Sequence, residues 1–228
     1  MLSAIAIVPS APVLVPELGG AGSSDLRAAA LTAAALLPAR WIGIGTGGAD
    51  DVIEPSSVGT FAGFGADVRV ALSPRAAESG QLPVELPLCA LIAGWVRGQA
   101  RPEAGAQVRV YRGDHDAGTA VARGRQLRTE IDRAPDPIGV LVVADGANTL
   151  TERAPGGYDP GAAEVQLALD DALADGDVAA LASLPGQILG RVAFQVLAGL
   201  TEPGPRTAKE LYRGAPYGVG YFAGVWQS

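Results

Sequence analysis

The stretch Ile138-Gly-Val-Leu-Val-Val-Ala144, followed by Asp145-Gly-Ala-Asn-Thr149 and a turn-rich run to Pro160, decides the fold. A short apolar run bounded by turn residues reads as a buried strand. It empties into a polar loop, and the loop feeds a helix. In an α/β protein, ligands collect outside the carboxyl ends of such strands. The loop from Asp145 onward is therefore where function is expected. It contains no histidine, no cysteine and no nucleophile–base pair.

Upstream of this stretch, a helix over 117–133 leads in through Pro135-Asp-Pro137. Before it, Gln107–Tyr111 alternates like a short strand and is followed by Gly113-Asp-His-Asp116. Pro83–Val96 reads as an apolar helix carrying Cys89 and Trp95, and Val68–Leu72 as a strand. Arg40–Gly45 is a further strand running into the loop Thr46-Gly-Gly-Ala-Asp-Asp51. That loop lacks the Lys-Ser/Thr of a phosphate-binding loop, so a tight turn is the better reading. Ser23, Ser24 and Asp25 are candidate caps for a helix over 26–37, which Pro38 stops. The three prolines between Pro9 and Gly20 predict an extended segment there, after a buried first strand at Leu2–Val8.

Downstream, Asp159 is placed to cap a helix starting at Pro160 and ending near Gly176. Asp177 starts a short helix, Gly186–Leu200 reads as a longer buried one, and Pro216–Trp226 as a closing strand. Alternating strands and helices predict an α/β sandwich with a largely parallel sheet. With no internal repeat or linker, residues 1–228 read as one domain.

Composition narrows the function classes. The chain is 48% hydrophobic and 18% charged, which suits a full core and excludes a disordered chain. A net charge of −7, with Lys209 as the only lysine, argues against a nucleic-acid surface. Cys89 stands alone, so no disulfide or thiolate metal cluster forms within one chain, as suits a reducing cytoplasm. No apolar run approaches the ~20 residues of a membrane span, so a soluble, cytoplasmic protein without a membrane partner is expected.

Four separated segments carry a resemblance. Val8-Pro-Ser-Ala-Pro-Val-Leu-Val-Pro-Glu-Leu-Gly19, Gly59-Thr-Phe-Ala-Gly-Phe-Gly-Ala66, Asp145 through Pro160 with Leu-Thr-Glu-Arg-Ala-Pro, and Pro216-Tyr-Gly-Val-Gly-Tyr221 span nearly the whole chain. Together they resemble the class III extradiol ring-cleavage dioxygenases of the catalytic B-subunit type, whose fold the Memo-like proteins share. The resemblance implies a three-layer α/β/α sandwich with a mostly parallel central sheet. It also implies an Fe(II) held by two histidines and a carboxylate, an acid/base histidine, and association into homodimers.

Carried over position by position, the resemblance puts Ser10 at the first metal histidine and Gly47 at the second. Gln187 falls at the carboxylate, followed by Arg191, and Asn148 at the acid/base histidine. A further Asp-His-Gly segment falls near Gln81-Leu82, and Glu164 stands where the family keeps a glutamate. The chain has one histidine in all, His115. Neutral oxygen ligands bind Fe(II) far more weakly than imidazole and carboxylate, so the iron chemistry is expected to be lost.

Several residues keep two readings. His115 is either a base oriented by Asp114 or Asp116, or a surface turn histidine beside two carboxylates. Asp145, Asn148, Thr149 and Glu152 either bind a polar ligand, or with Glu17 a hard cation, or else satisfy loop backbone groups. Glu164 either reaches the pocket or favours its helix dipole. Cys89 reads as an inert core thiol, and Tyr158, Tyr217 and Tyr221 as core or pocket walls. Two functions follow: a member of this fold that binds a small molecule or protein partner without redox chemistry, or an enzyme. The enzyme would be either a residual ring-cleavage dioxygenase or one with a repurposed metal-free polar site.

Overall fold

The computed structural model describes residues 1–227. Its first half contains β1 (Leu2–Val8), α1 (Pro16–Gly19), α2 (Ser24–Ala34), β2 (Arg40–Gly47), β3 (Asp51–Ile53), β4 (Val58–Thr60), β5 (Arg69–Ala71), α3 (Pro74–Glu78) and α4 (Leu88–Ala100). There follow β6 (Gly105–Arg112), α5 (Ala117–Asp132), β7 (Ile138–Val143), α6 (Ala162–Asp175), α7 (Val178–Ala182), α8 (Arg191–Thr201), β8 (Thr207–Gly214) and β9 (Tyr221–Gln227).

Seven strands form one mixed sheet in the order β3-β6-β2-β7-β1-β9-β8. Every residue of β7 is buried, as its unbroken apolar sequence demands, and it lies at the centre. β6, β2, β7 and β1 run parallel, while β3 and β9 are antiparallel to their neighbours. β8 pairs antiparallel with β9 and so returns to the common direction.

Side-chain alternation along the strands separates two cores. Ala4, Ala6, Val8, Leu141 and Val143 point to one face and pack with α2 and α4, through residues such as Leu26, Ala30, Ile92 and Val96. Ile5, Ile7, Val140 and Val142 point to the other face, against α5, α6 and α8, through Leu127, Leu169, Phe194 and Leu197. Each fully buried Ile, Leu or Val of this kind contributes about 1.5–3 kcal/mol relative to exposure. On the second face, α5 and α8 approach backbone to backbone. A Cβ at Gly124 would lie 2.1 Å from the carbonyl oxygen of Val196, and one at Gly199 would lie 2.0 Å from that of Val121.

Several expectations need correction. The segment after β1 is not extended: Pro12 opens a 3-10 turn and Pro16 opens α1, each at the first helical position where a missing N–H costs nothing. Strand β2 continues through the anticipated Thr46–Gly47 loop because both residues pair with β6. The helix predicted from Pro83 begins at Leu88, since Pro87 holds Leu86 out of helical geometry. The helix predicted from Pro160 begins at Ala162, with Asp159 accepting from the N–H of Gly161 at 2.9 Å. The one predicted from Gly186 begins at Arg191. The strand predicted over 68–72 shortens to β5, which pairs only with β4 in a separate two-stranded sheet. β3, β4 and β8 lie outside the strands expected from the sequence, and α3 outside the expected helices.

Candidate functional site

Because β1, β2 and β7 are parallel, the segments that follow them emerge on one edge of the sheet. The pairing of β1 with β7 continues past the strand ends as Ala144 N–H donates to Val8 C=O at 3.0 Å. Two residues on, the backbone N–H of Ser10 donates to Oδ1 of Asp145 at 2.8 Å.

The loop that begins at Asp145 is held on both sides by backbone bonds. Gly146 N–H donates to Gly220 C=O, and Gly220 N–H to Ala147 C=O, both at 2.8 Å. On the other side, Gly190 N–H donates to Asp145 C=O at 2.8 Å, and Ala147 forms an antiparallel bridge with Ile188. That bridge joins the segments that carry Asn148 and Gln187, the two positions the resemblance gives to the acid/base histidine and the metal carboxylate. It also explains why the chain from Gly186 to Gly190 is not helical.

A residue the sequence reading passed over organises the loop from below. Gln166 is buried on α6, accepts from Ala147 N–H at 2.8 Å and donates to Asp170 at 2.8 Å. It packs where a Cβ on Gly146 or Gly220 would come within 2.0 and 2.1 Å of its amide, so a side chain at either position would displace that amide from its hydrogen bonds. The signal was present: Gln166 shares a helical stripe with Leu169 and Leu173.

The electrostatics of this edge centre on Asp145. Burial pushes its carboxyl from 3.8 up to about 7, only partly opposed by the Ser10 hydrogen bond. Tyr221 is buried nearby, and its phenol is raised by that burial and then by the negative charge of Asp145. Thr149 Oγ1 is sealed from solvent and has no hydrogen-bond partner among the described residues.

His115 is part of a different cluster at the ends of β2 and β6. Its Nε2 lies 2.7 Å from Oδ1 of Asp50, a residue contributed by the β2–β3 connection. The same Asp50 oxygen accepts from Arg112 N–H at 2.8 Å, and its second oxygen lies 3.4 Å from Arg123. The partner is therefore neither Asp114 nor Asp116. Asp114 pairs with Arg112, and Asp116 caps α5 through Thr119 N–H at 2.9 Å. Arg191 joins this cluster to α8 by donating to His115 C=O at 2.9 Å. Gly47 belongs to the same corner and accepts from Gly113 N–H at 3.2 Å.

Other candidates are dispersed. Glu17 is exposed and lines a cavity beside α4, Glu152 lines a groove with Arg153 and Tyr217, and Glu164 lines a groove against α7. Tyr158 is 58% exposed and thus not part of the core. Cys89 is buried beneath Gly45, and burial holds its thiol at about 12.

The donor set does not fit a two-histidine, one-carboxylate iron. Ser10, Gly47, Asn148 and Gln187 offer only neutral oxygens and amides, and the described residues form no group of three or more His, Cys, Asp or Glu able to hold a metal. The arrangement can hydrogen-bond a polar molecule and hold a proton at Asp145.

No helix among the described residues is long and apolar enough to cross a membrane. No family model matches the chain, and no curated protein matches it. The structure of an uncharacterized protein from Escherichia coli K12 aligns over 98% of this chain and 99% of its own, with a TM-score of 0.60 at 11% identity, so this chain is similar to it in fold.

Proposed function

We propose that this chain is a class III extradiol dioxygenase-like protein whose sheet-edge site binds a polar small molecule or a protein partner without iron-dependent ring cleavage. The observation that supports this most is the chemistry of the edge itself. The Ala147–Ile188 bridge joins the segments that carry Asn148 and Gln187, Ser10 is tied to Asp145, and the lone histidine is paired with Asp50 in another cluster. Amides and a serine suit hydrogen bonding to a ligand and are poor partners for Fe(II).

The deciding experiment is oxygen uptake on a panel of catechols by protein purified anaerobically and supplied with Fe(II). Neither stoichiometric iron nor catechol-dependent uptake is expected. Both together overturn the reading.

A second reading has its own support. A carboxyl raised to about 7 beside a buried tyrosine suits acid–base work at neutral pH, so a repurposed, metal-free enzyme is the alternative. A proton-transfer activity lost in Asp145→Asn would favour it.

A further inference from the structure

The strongest unassigned feature lies away from the sheet edge. Between the β4–β5 sheet and α4 is a cavity of 510 Å³ lined by Val58, Val68, Val70, Trp95, Arg97 and Gly98, among others. That volume is within the range of about 300–1,000 Å³ usual for small-molecule sites.

Arg97 is 4% exposed and forms no ion pair among the described residues; Glu103, the carboxylate that acts on it electrostatically, is exposed and pairs with Arg101. Its bonds all go to backbone carbonyls: Nε donates to Ala71 at 2.9 Å, and Nη1 donates to Pro102 at 2.6 Å and to Ala104 at 3.1 Å. These bonds clamp α4 to β5 and to the turn before β6. Nη2 takes no part in the clamp. Nor is it sealed away, because the sealed, unpartnered side-chain atoms among the described residues are Arg109 Nε and Thr149 Oγ1. An almost fully buried guanidinium therefore keeps one donor nitrogen open in a residue that lines the cavity.

Burial lowers the guanidinium's pKa and the charge of Glu103 only partly opposes it, so an anion in the cavity would stabilise the cation further. With Nε and Nη1 committed to carbonyls, Nη2 remains to give a carboxylate a charge-assisted hydrogen bond. The remaining walls sort the ligand further. Val58, Val68, Val70 and Trp95 supply apolar surface, so the anion should carry a hydrocarbon portion. Arg69 adds a second cation, and Glu17, exposed on the same wall, disfavours a multiply charged ligand.

We propose that this cavity binds a small organic monocarboxylate, with the carboxylate on Arg97 and the hydrocarbon portion against Trp95 and the valines. The site is separate from the sheet edge and does not depend on the function proposed for it.

The test uses calorimetry at neutral pH with hexanoate, its neutral isostere hexanamide, and inorganic phosphate. Hexanoate should bind, with hexanamide and phosphate at least tenfold weaker. Arg97→Met should abolish the preference for hexanoate. Because that variant removes the clamp and risks misfolding, Gly98→Leu provides a second arm. Gly98 lines the cavity and a Cβ there meets no atom within 4 Å, so a leucine starts in open space and is sized to intrude on the cavity. It should melt no lower than wild type and lose hexanoate binding at least tenfold. Three results would each overturn the proposal: no hexanoate binding by the wild type, equal affinity for hexanamide or phosphate, or unchanged binding in folded Gly98→Leu.

Discussion

Ser10 and Asp145 lie 135 positions apart in sequence, yet the N–H of one meets the carboxylate of the other at 2.8 Å. The bond joins the residues that follow two adjacent parallel strands and occupies one oxygen of the buried Asp145 carboxyl group.

It also predicts a pH dependence. Asp145 is raised from 3.8 to about 7 on folding, so the folded chain binds a proton that the unfolded chain releases across that window. Stability therefore falls as pH rises from about 4 to about 7 and levels off beyond. At about 1.36 kcal/mol per unit, the full effect is on the order of 4 kcal/mol. Asp145→Asn keeps an acceptor for Ser10 and cannot ionise. Its stability relative to wild type, measured by urea denaturation, should improve by a few kcal/mol between pH 4 and pH 8. A difference that stays flat with pH would count against this account.

Asp50 has the opposite sign. The hydrogen bond from Arg112 N–H holds its carboxyl below the ordinary value, and after the opposing effect of burial, His115 and Arg123 lower it further. It therefore contributes stability above about pH 4 that is lost as pH falls through its folded pKa. Asp50→Ala should cost about 1 kcal/mol at pH 7, the usual net value of an intramolecular hydrogen bond, and progressively less toward pH 3. Denaturation curves at the two pH values provide the check.

Cys89 should be chemically silent in the folded chain. Its thiol is buried and held at about 12, so almost no thiolate exists at pH 8. A disulfide-exchange reagent should label it only at the rate of unfolding, and labelling in urea should be complete within minutes. Rapid labelling without denaturant would place the thiol at the surface.

Glycine substitutions should divide sharply by position. Gly124→Ala puts a methyl group 2.1 Å from a carbonyl oxygen of α8, against which only backbone can yield. A loss of about 3 kcal/mol or more is expected, at the upper end of overpacking costs. Gly98→Ala, also within a helix but facing open space, should gain up to about 1 kcal/mol from helix propensity. Equal effects from the two changes would show that α5 and α8 are not in contact at this point.

How much of this was legible in the sequence depended on what each residue contacts. Runs buried on both faces, such as Leu2–Val8 and Ile138–Val143, announced themselves because burial leaves nowhere for polar residues. β8 did not: Thr-Ala-Lys-Glu-Leu-Tyr-Arg-Gly lies at the sheet edge, half exposed, with no apolar run or clean alternation. β3 was too short to carry a pattern. The candidate site was readable as a place, the loop after Ile138–Ala144, but its internal connections were not. The partner of His115 comes from 65 residues away, and adjacency pointed instead to two nearby aspartates with other duties. Gln166 went unremarked because a lone polar residue in an apolar stripe becomes informative only once the glycines it packs against are known.

The sheet's strand order also governs when the chain can fold during synthesis. β1 lies between β7 and β9, so one neighbour is made some 130 residues after it and the other only with residues 221–227. A ribosome presenting the first two hundred residues holds an N-terminal strand with one side still unpaired, in a topology of high contact order that folds slowly. Until β9 arrives, one edge of β1 is open to any extended chain, and that exposure to aggregation closes only once residues 221–227 have been made.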